Sequence, residues 1–335
     1  MKKRTMLVLA LTILAVAAPR TSPFRPGART LMLAHNAYPY DGQYGDRLDR
    51  VIAAGVPFVV EEDLNWLNGR SLLIHHEKDA SHDAPTLESY FFPKVRPIIE
   101  KALREGNHGD WPLITLYLDI KNDPEEHLEA INKVLDKYDS WLTKAVKTAD
   151  ITRMSPLEYK PMMVIMEDKQ HDIKQDFFYD RVPVGGKFRV FGSAVKFDDN
   201  PHKLGRDKRD ERFAGLREYQ PEQLLTKHAD NWRRWFGVDW HFIELTGPAH
   251  GNEWNADAEA RVKHFIEYGH RMGYLVSFYQ LDGFPHDQDQ GWGDEYNFGS
   301  KSALQLRLDT LIKSHADFIS TDQYEDVAEA IRSER

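Results

Sequence analysis

What most constrains this chain is its rhythm. From residue 31 to the C-terminus, short runs of aliphatic, β-branched and aromatic residues alternate with longer stretches whose apolar residues fall at helical spacing. The runs Leu31 to His35, Phe58 to Asp63, Leu113 to Lys121, Met162 to Met166, Arg189 to Val195, Trp240 to Thr246, Tyr274 to Gln280 and Asp317 to Thr321 read as strands. The stretches Tyr44 to Ala54, Thr86 to Glu105, Pro124 to Thr148, Pro221 to Phe236, Asp257 to Met272 and Ser300 to Ser314, with a terminal turn from Tyr324, read as helices. Such alternation predicts parallel strands joined by crossover helices. Repeated through a single domain covering 30–335, it predicts an α/β fold, a closed (β/α)8 TIM barrel, with a doubly wound open sheet as the alternative. The polar connection Glu167 to Lys187 and the charged loop Asp198 to Tyr219 read as solvated surface.

Ahead of the barrel, Lys2-Lys3-Arg4, the apolar run Met6 to Val16 and Ala15-Val16-Ala17 have the charge, length and small-residue cleavage chemistry of a secretory signal peptide over 1–17. A run of eleven residues rises only about 16 Å as a helix, too little to span roughly 30 Å of hydrocarbon. Residues 18–29, with three prolines and a glycine, read as a tether. The expected location is therefore periplasmic or secreted, with no stable membrane insertion after cleavage. The sequence has no cysteine, so stability outside the cytosol has to come from a large apolar core. A formal net charge of -9 argues against nucleic acid as a partner, yet it is compatible with an anionic phosphate held by a metal ion and a few local cations.

Barrels of this kind carry their chemistry at the C-terminal ends of the strands. In Val59-Val60-Glu61-Glu62-Asp63 the strand period of two puts Glu61 and Asp63 on one face and Glu62 on the other. Two carboxylates brought together repel and are costly to desolvate, which a divalent cation or a shared proton resolves. Oxygen ligands suit Mg²⁺ or Ca²⁺. The same spacing in Asp119-Ile120-Lys121 offers a third acid and a cation beside it, able to neutralise a phosphate, with a plain core ion pair as the bland reading. His35 ends the first strand and His76 follows the run Leu72-Leu73-Ile74, both at positions suited to proton transfer. His75, His82 and most other histidines read as structural.

Together, His35-Asn36, Glu61-x-Asp63, His76-Glu77 and Asp119-x-Lys121 resemble the superfamily of phospholipase C-like phosphodiesterases, which groups glycerophosphodiester phosphodiesterases, sphingomyelinase D toxins, bacterial phosphatidylinositol phospholipases and relatives of a yeast mitochondrial-inheritance protein. The motifs cover Leu31 to Lys121, and Ala316 to Asp322 looks like the closing strand of such a barrel. The resemblance implies that His35 and His76 are the acid-base pair, that Glu61, Asp63 and Asp119 hold one divalent cation, and that Lys121 and Asn36 contact the substrate. It also implies a glycerophosphodiester or phospholipid-type substrate. Asn36-Ala37-Tyr38 departs from the Arg-Gly that follows the first histidine in glycerophosphodiesterases and looks closer to the sphingomyelinase D and mitochondrial-inheritance branches.

Two other functions compete: a glycoside hydrolase using two of Glu61, Asp119 and Glu244, and a non-catalytic barrel that captures phosphorylated ligands. Glu167, Lys196, Glu244, Gln280 and Asp282 are read as strand-end polar residues, Asp322 as part of the closing turn, and Gln290 to Tyr296 as a surface loop that could cover a headgroup.

Overall fold

The computed structural model describes residues 24–39, 44–76, 84–167, 173–194, 216, 218–244, 254–279, 281–285 and 297–334. The leader at 1–17, most of the charged loop Asp198 to Tyr219, Lys196, Gln280, Glu77, His82 and the loop Gln290 to Tyr296 lie outside them. In chain order the strands are β1 (Leu31–Ala34), β2 (Phe58–Leu67), β3 (Arg70–Leu73), β4 (Ile114–Ile120), β5 (Lys144–Val146), β6 (Leu157–Glu158), β7 (Met162–Met166), β8 (Lys187–Phe188), β9 (Val190–Ser193), β10 (Arg233–Asp239), β11 (Leu275–Tyr279) and β12 (Phe318–Thr321).

β1, β2, β4, β7, β9, β10, β11 and β12 pair in parallel around a ring, and the β12–β1 and β1–β2 pairings close it. The chain is a closed eight-stranded parallel barrel, a (β/α)8 fold. Each barrel strand is buried along almost its whole length, as strands covered by helices outside and filled by side chains inside must be. At β9 the filling is tight enough to require glycine: a Cβ on Gly192 would lie 2.4 Å from the Trp232 indole nitrogen. Outside the ring pack the helices Arg47–Ala54, Phe92–Glu105, Glu125–Lys137, Ala256–Arg271, Lys301–Lys313 and Tyr324–Ser333. The Ala256–Arg271 and Lys301–Lys313 helices start on Asn255 and Ser300, whose side chains accept hydrogen bonds from first-turn amides.

Three expectations need correction. The stretch Pro124 to Thr148 is helical only over Glu125–Lys137; a 3-10 turn Asp139–Trp141 and β5 follow, and β5 pairs with β6 and β8 in a small antiparallel sheet. Aromatic stacking accounts for the break, since Tyr138 lies flat on Phe92 at 3.7 Å and Trp141 packs against both rings. The stretch Pro221 to Phe236 is helical only over Pro221–Leu224, and the sixth barrel strand is β10, upstream of the expected Trp240 to Thr246. Two neighbouring aromatic-rich runs competed for one place in the ring. The earlier won because Trp235 through Asp239 pairs residue for residue with Leu275 through Tyr279. Asp239 then accepts a hydrogen bond from the His241 amide and turns the chain into the short 3-10 helix Trp240–Phe242.

The third correction concerns Glu244. It is not at a strand end. Its carboxylate takes both Arg307 Nη2 (2.6 Å) and Nε (3.0 Å) and the Trp240 indole N–H (2.6 Å), all within the buried helix layer. That commitment removes it from the candidate glycosidase pair.

Candidate active site

Register decides which side chains meet. Asp63 of β2 is opposite Asp119 of β4, and Ala34 of β1 is opposite both Val60 and Thr321. With side chains alternating along each strand, Glu61, Asp63 and Asp119 point into the barrel at its C-terminal end, while Glu62 faces the helices. Backbone hydrogen bonds staple the strand ends together: His35 N to Thr321 O, Ala37 N to Glu61 O and Lys121 N to Leu64 O.

One carboxylate oxygen each from Glu61, Asp63 and Asp119 lies within 4.8 Å of the others. Lys121 Nζ is 2.5 Å from Asp119 Oδ2 and 3.1 Å from Asp63 Oδ1. Asp63 is completely buried; its Oδ2 accepts hydrogen bonds from the Tyr38 hydroxyl (2.8 Å) and His75 Nδ1 (2.6 Å), whereas Oδ1 faces the Lys121 ammonium. Burial opposes the Asp63 charge, but Lys121 and His75 outweigh it and hold the carboxyl below the usual range. Glu61 fares worse. Burial, reinforced by Asp63 and Asp119 and only partly offset by His35, pushes it up to about 8. Burial also raises Asp119, with Lys121 pulling the other way.

These residues fit a divalent cation. The donors are all oxygen, three carboxylates converge, and burial with its acidic neighbours leaves Glu61 short of positive charge.

Beside this cluster, on the neighbouring strands β1 and β12, His35 Nδ1 lies 3.6 Å from Asp322 Oδ1. That carboxylate also takes Arg47 Nη1 at 3.0 Å, and the same nitrogen reaches Asn36 O at 3.2 Å. The His35 carbonyl accepts the Tyr324 hydroxyl at 2.8 Å. Burial works against a charged imidazole, but Asp322 and then Glu61 prevail and lift His35 to about 9. Asn36 turns the chain off β1 in a left-handed conformation (φ 46°) that asparagine tolerates better than most residues. Its carboxamide is buried, and neither its oxygen nor its nitrogen has a hydrogen-bond partner among the described residues.

The histidines at the end of β3 divide differently from expectation. His75, read from sequence as structural, makes the Asp63 contact; His76 is exposed and packs its ring on His75, with centroids 4.0 Å apart. Asn65 Nδ2 fixes this turn by donating to Ile74 O and His75 O. Sequence reading also passed over Tyr38 and Arg47, and it gave Asp322 only a turn role. A strand-end acid two residues from an invaginating Tyr324 was the available signal for Asp322. Nothing in the local sequence announces Arg47. Asp239 and His241, paired at 2.7 Å at the end of β10, were hidden by the misplaced strand. Asp282 is buried and accepts from Thr321 Oγ1 and the Asp322 amide, so it braces the β12 turn. Glu167 follows the last residue of β7.

No family model matches the chain, and no curated protein matches it. Among solved structures it is similar to a glycerophosphoryl diester phosphodiesterase from Parabacteroides distasonis, with 13% identity, 91% of this chain and 87% of that one covered, and a TM-score of 0.42. It is also similar to the phosphatidylinositol-specific phospholipase C of Listeria monocytogenes, with 10% identity, 95% and 97% covered, and a TM-score of 0.48. A third likeness is to HPPK-DHPS of Plasmodium falciparum, with 10% identity, 92% of this chain and 48% of that one covered, and a TM-score of 0.44.

Proposed function

We propose that this protein is a phosphoric diester hydrolase, acting on a glycerophosphodiester or phospholipid-derived substrate outside the cytosol. The observation that carries the reading is the pairing, at one barrel mouth, of two carboxylate-held histidines with a three-carboxylate cluster and a lysine.

Glu61, Asp63 and Asp119 would hold one Mg²⁺ or Ca²⁺, which when bound supplies positive charge to a phosphoryl oxygen. The protein's own groups do the proton work. His35, kept protonated by Asp322, donates to the leaving alkoxide. The second histidine, which takes the proton from the attacking water or substrate hydroxyl as its oxygen bonds to phosphorus, belongs to the His75-His76 pair. His75 is the stronger candidate because Asp63 engages its Nδ1 and fixes the ring at the carboxylate cluster. His76, expected from sequence to act here, backs that ring. Lys121 offers an ammonium to the phosphate and Asn36 offers its unpartnered carboxamide.

The deciding experiment is turnover of bis(p-nitrophenyl) phosphate with and without EDTA, followed by a panel of glycerophosphocholine, lysophospholipid, sphingomyelin and phosphatidylinositol with Mg²⁺ or Ca²⁺. Hydrolysis that EDTA abolishes supports the reading; hydrolysis of aryl glycosides and of no phosphodiester sinks it.

A further inference from the structure

Lys121 presents a conflict. As a phosphate ligand its ammonium belongs over the mouth, yet it sits on Asp119 Oδ2 and Asp63 Oδ1, in the carboxylate cluster that fits a divalent cation. A cation bound by oxygens at roughly 2.0–2.6 Å and an ammonium on the same two carboxylates would stand close together in a buried pocket, where like charges repel strongly. Both cannot keep those oxygens.

We propose that Lys121 is a built-in competitor of the divalent cation, occupying the carboxylates until the metal arrives and then swinging its ammonium toward the phosphate. The inference rests on the metal site of the proposed function. Three features of the chain support it. The Lys121 backbone is anchored, its amide donating to Leu64 O at 2.9 Å, so movement is confined to the side chain. Lys121 lies just past the last residue of β4, and its side chain is a quarter exposed while that of Asp63 is wholly buried; the ammonium therefore has a way out and the carboxylate does not. Asp63 itself is tied down by Tyr38 and His75 through Oδ2, which fixes Oδ1 as the oxygen that changes cations. The lysine thereby lets a cluster of buried acids persist without metal, at the expense of metal affinity.

The test is isothermal titration of wild type, Lys121→Met and Lys121→Arg with MgCl2 and CaCl2, paired with thermal melts in EDTA and in metal. Loss of the ammonium should tighten metal binding at least about tenfold, lower the melting temperature in EDTA and enlarge the metal-induced rise; Lys121→Arg should stay near wild type. Should Lys121→Met fail to fold in EDTA, the same comparison is made with Lys121→Gln refolded in metal and dialysed against graded chelator. Equal or weaker metal binding in the uncharged variants overturns the competitor role and leaves the metal site standing. No metal binding by wild type or variants overturns the metal site itself, and the competitor role with it.

Discussion

Two buried charged clusters in this barrel are built on opposite plans. In the helix layer, Arg307 grips both oxygens of Glu244 with essentially no exposure; the Trp240 indole adds a further hydrogen bond to Oε2, and the Trp254 and Phe298 rings cover the guanidinium. At the mouth, both polar atoms of Asn36 and Asp322 Oδ2 are buried without hydrogen bonds among the described residues, and Glu61 is lifted to about 8 by burial and by its acidic neighbours. A charge pair that only holds structure together satisfies its own groups. The mouth leaves its groups for something else to satisfy, and that incompleteness, more than the acids themselves, marks it as a site.

The largest expected effect separates the two clusters directly. His35→Ala and His75→Ala should each lower turnover of bis(p-nitrophenyl) phosphate by about 10²–10⁴-fold in a protein that still folds, whereas His76→Ala should stay within about tenfold, because its ring only backs His75. Equal losses in His75→Ala and His76→Ala would make the pair act as a unit. Conversely, Glu244→Ala should cost about 3–5 kcal/mol of stability in urea denaturation, by leaving Arg307 buried without its carboxylate, and should leave metal titration unchanged. A shift in metal affinity would show the clusters to be coupled.

Glu62 tests the comparison from a third side. It is fully buried, faces the helices, and neither carboxylate oxygen has a hydrogen bond among the described residues, so it is unsatisfied without lying at the mouth. Burial raises it well above the carboxylate range. Glu62→Met, similar in size, should stabilise the protein by about 1–3 kcal/mol; destabilisation would mean that the carboxyl has a structural task.

The smallest effect concerns pH. Burial, with Asp322 nearby, pushes Asp282 up to about 7, above its ordinary value of 3.8. Between those values the folded state binds a proton that the unfolded chain has lost, so this group's contribution to stability falls as pH rises from about 4 to 7. Asp282→Asn should flatten that decline, measured by denaturant midpoints across the range; an unchanged slope would remove Asp282 from the account.

Much of this was legible in the chain. Alternating strand and helix signals required parallel strands, and the two-residue spacing of Glu61 with Asp63 and of Asp119 with Lys121 put each pair on one face, since side-chain alternation is a local property of the backbone. His35 could be placed because it ends the first strand. What folding alone decided depended on partners far away in sequence: which of two aromatic runs joins the ring at β10, which histidine of His75-His76 meets Asp63, and the arrival of Arg47 beside Asp322, 275 positions along the chain. Local spacing fixes which way a side chain points. Only ring closure, which brings β12 against β1 and β1 against β2, determines what it points at.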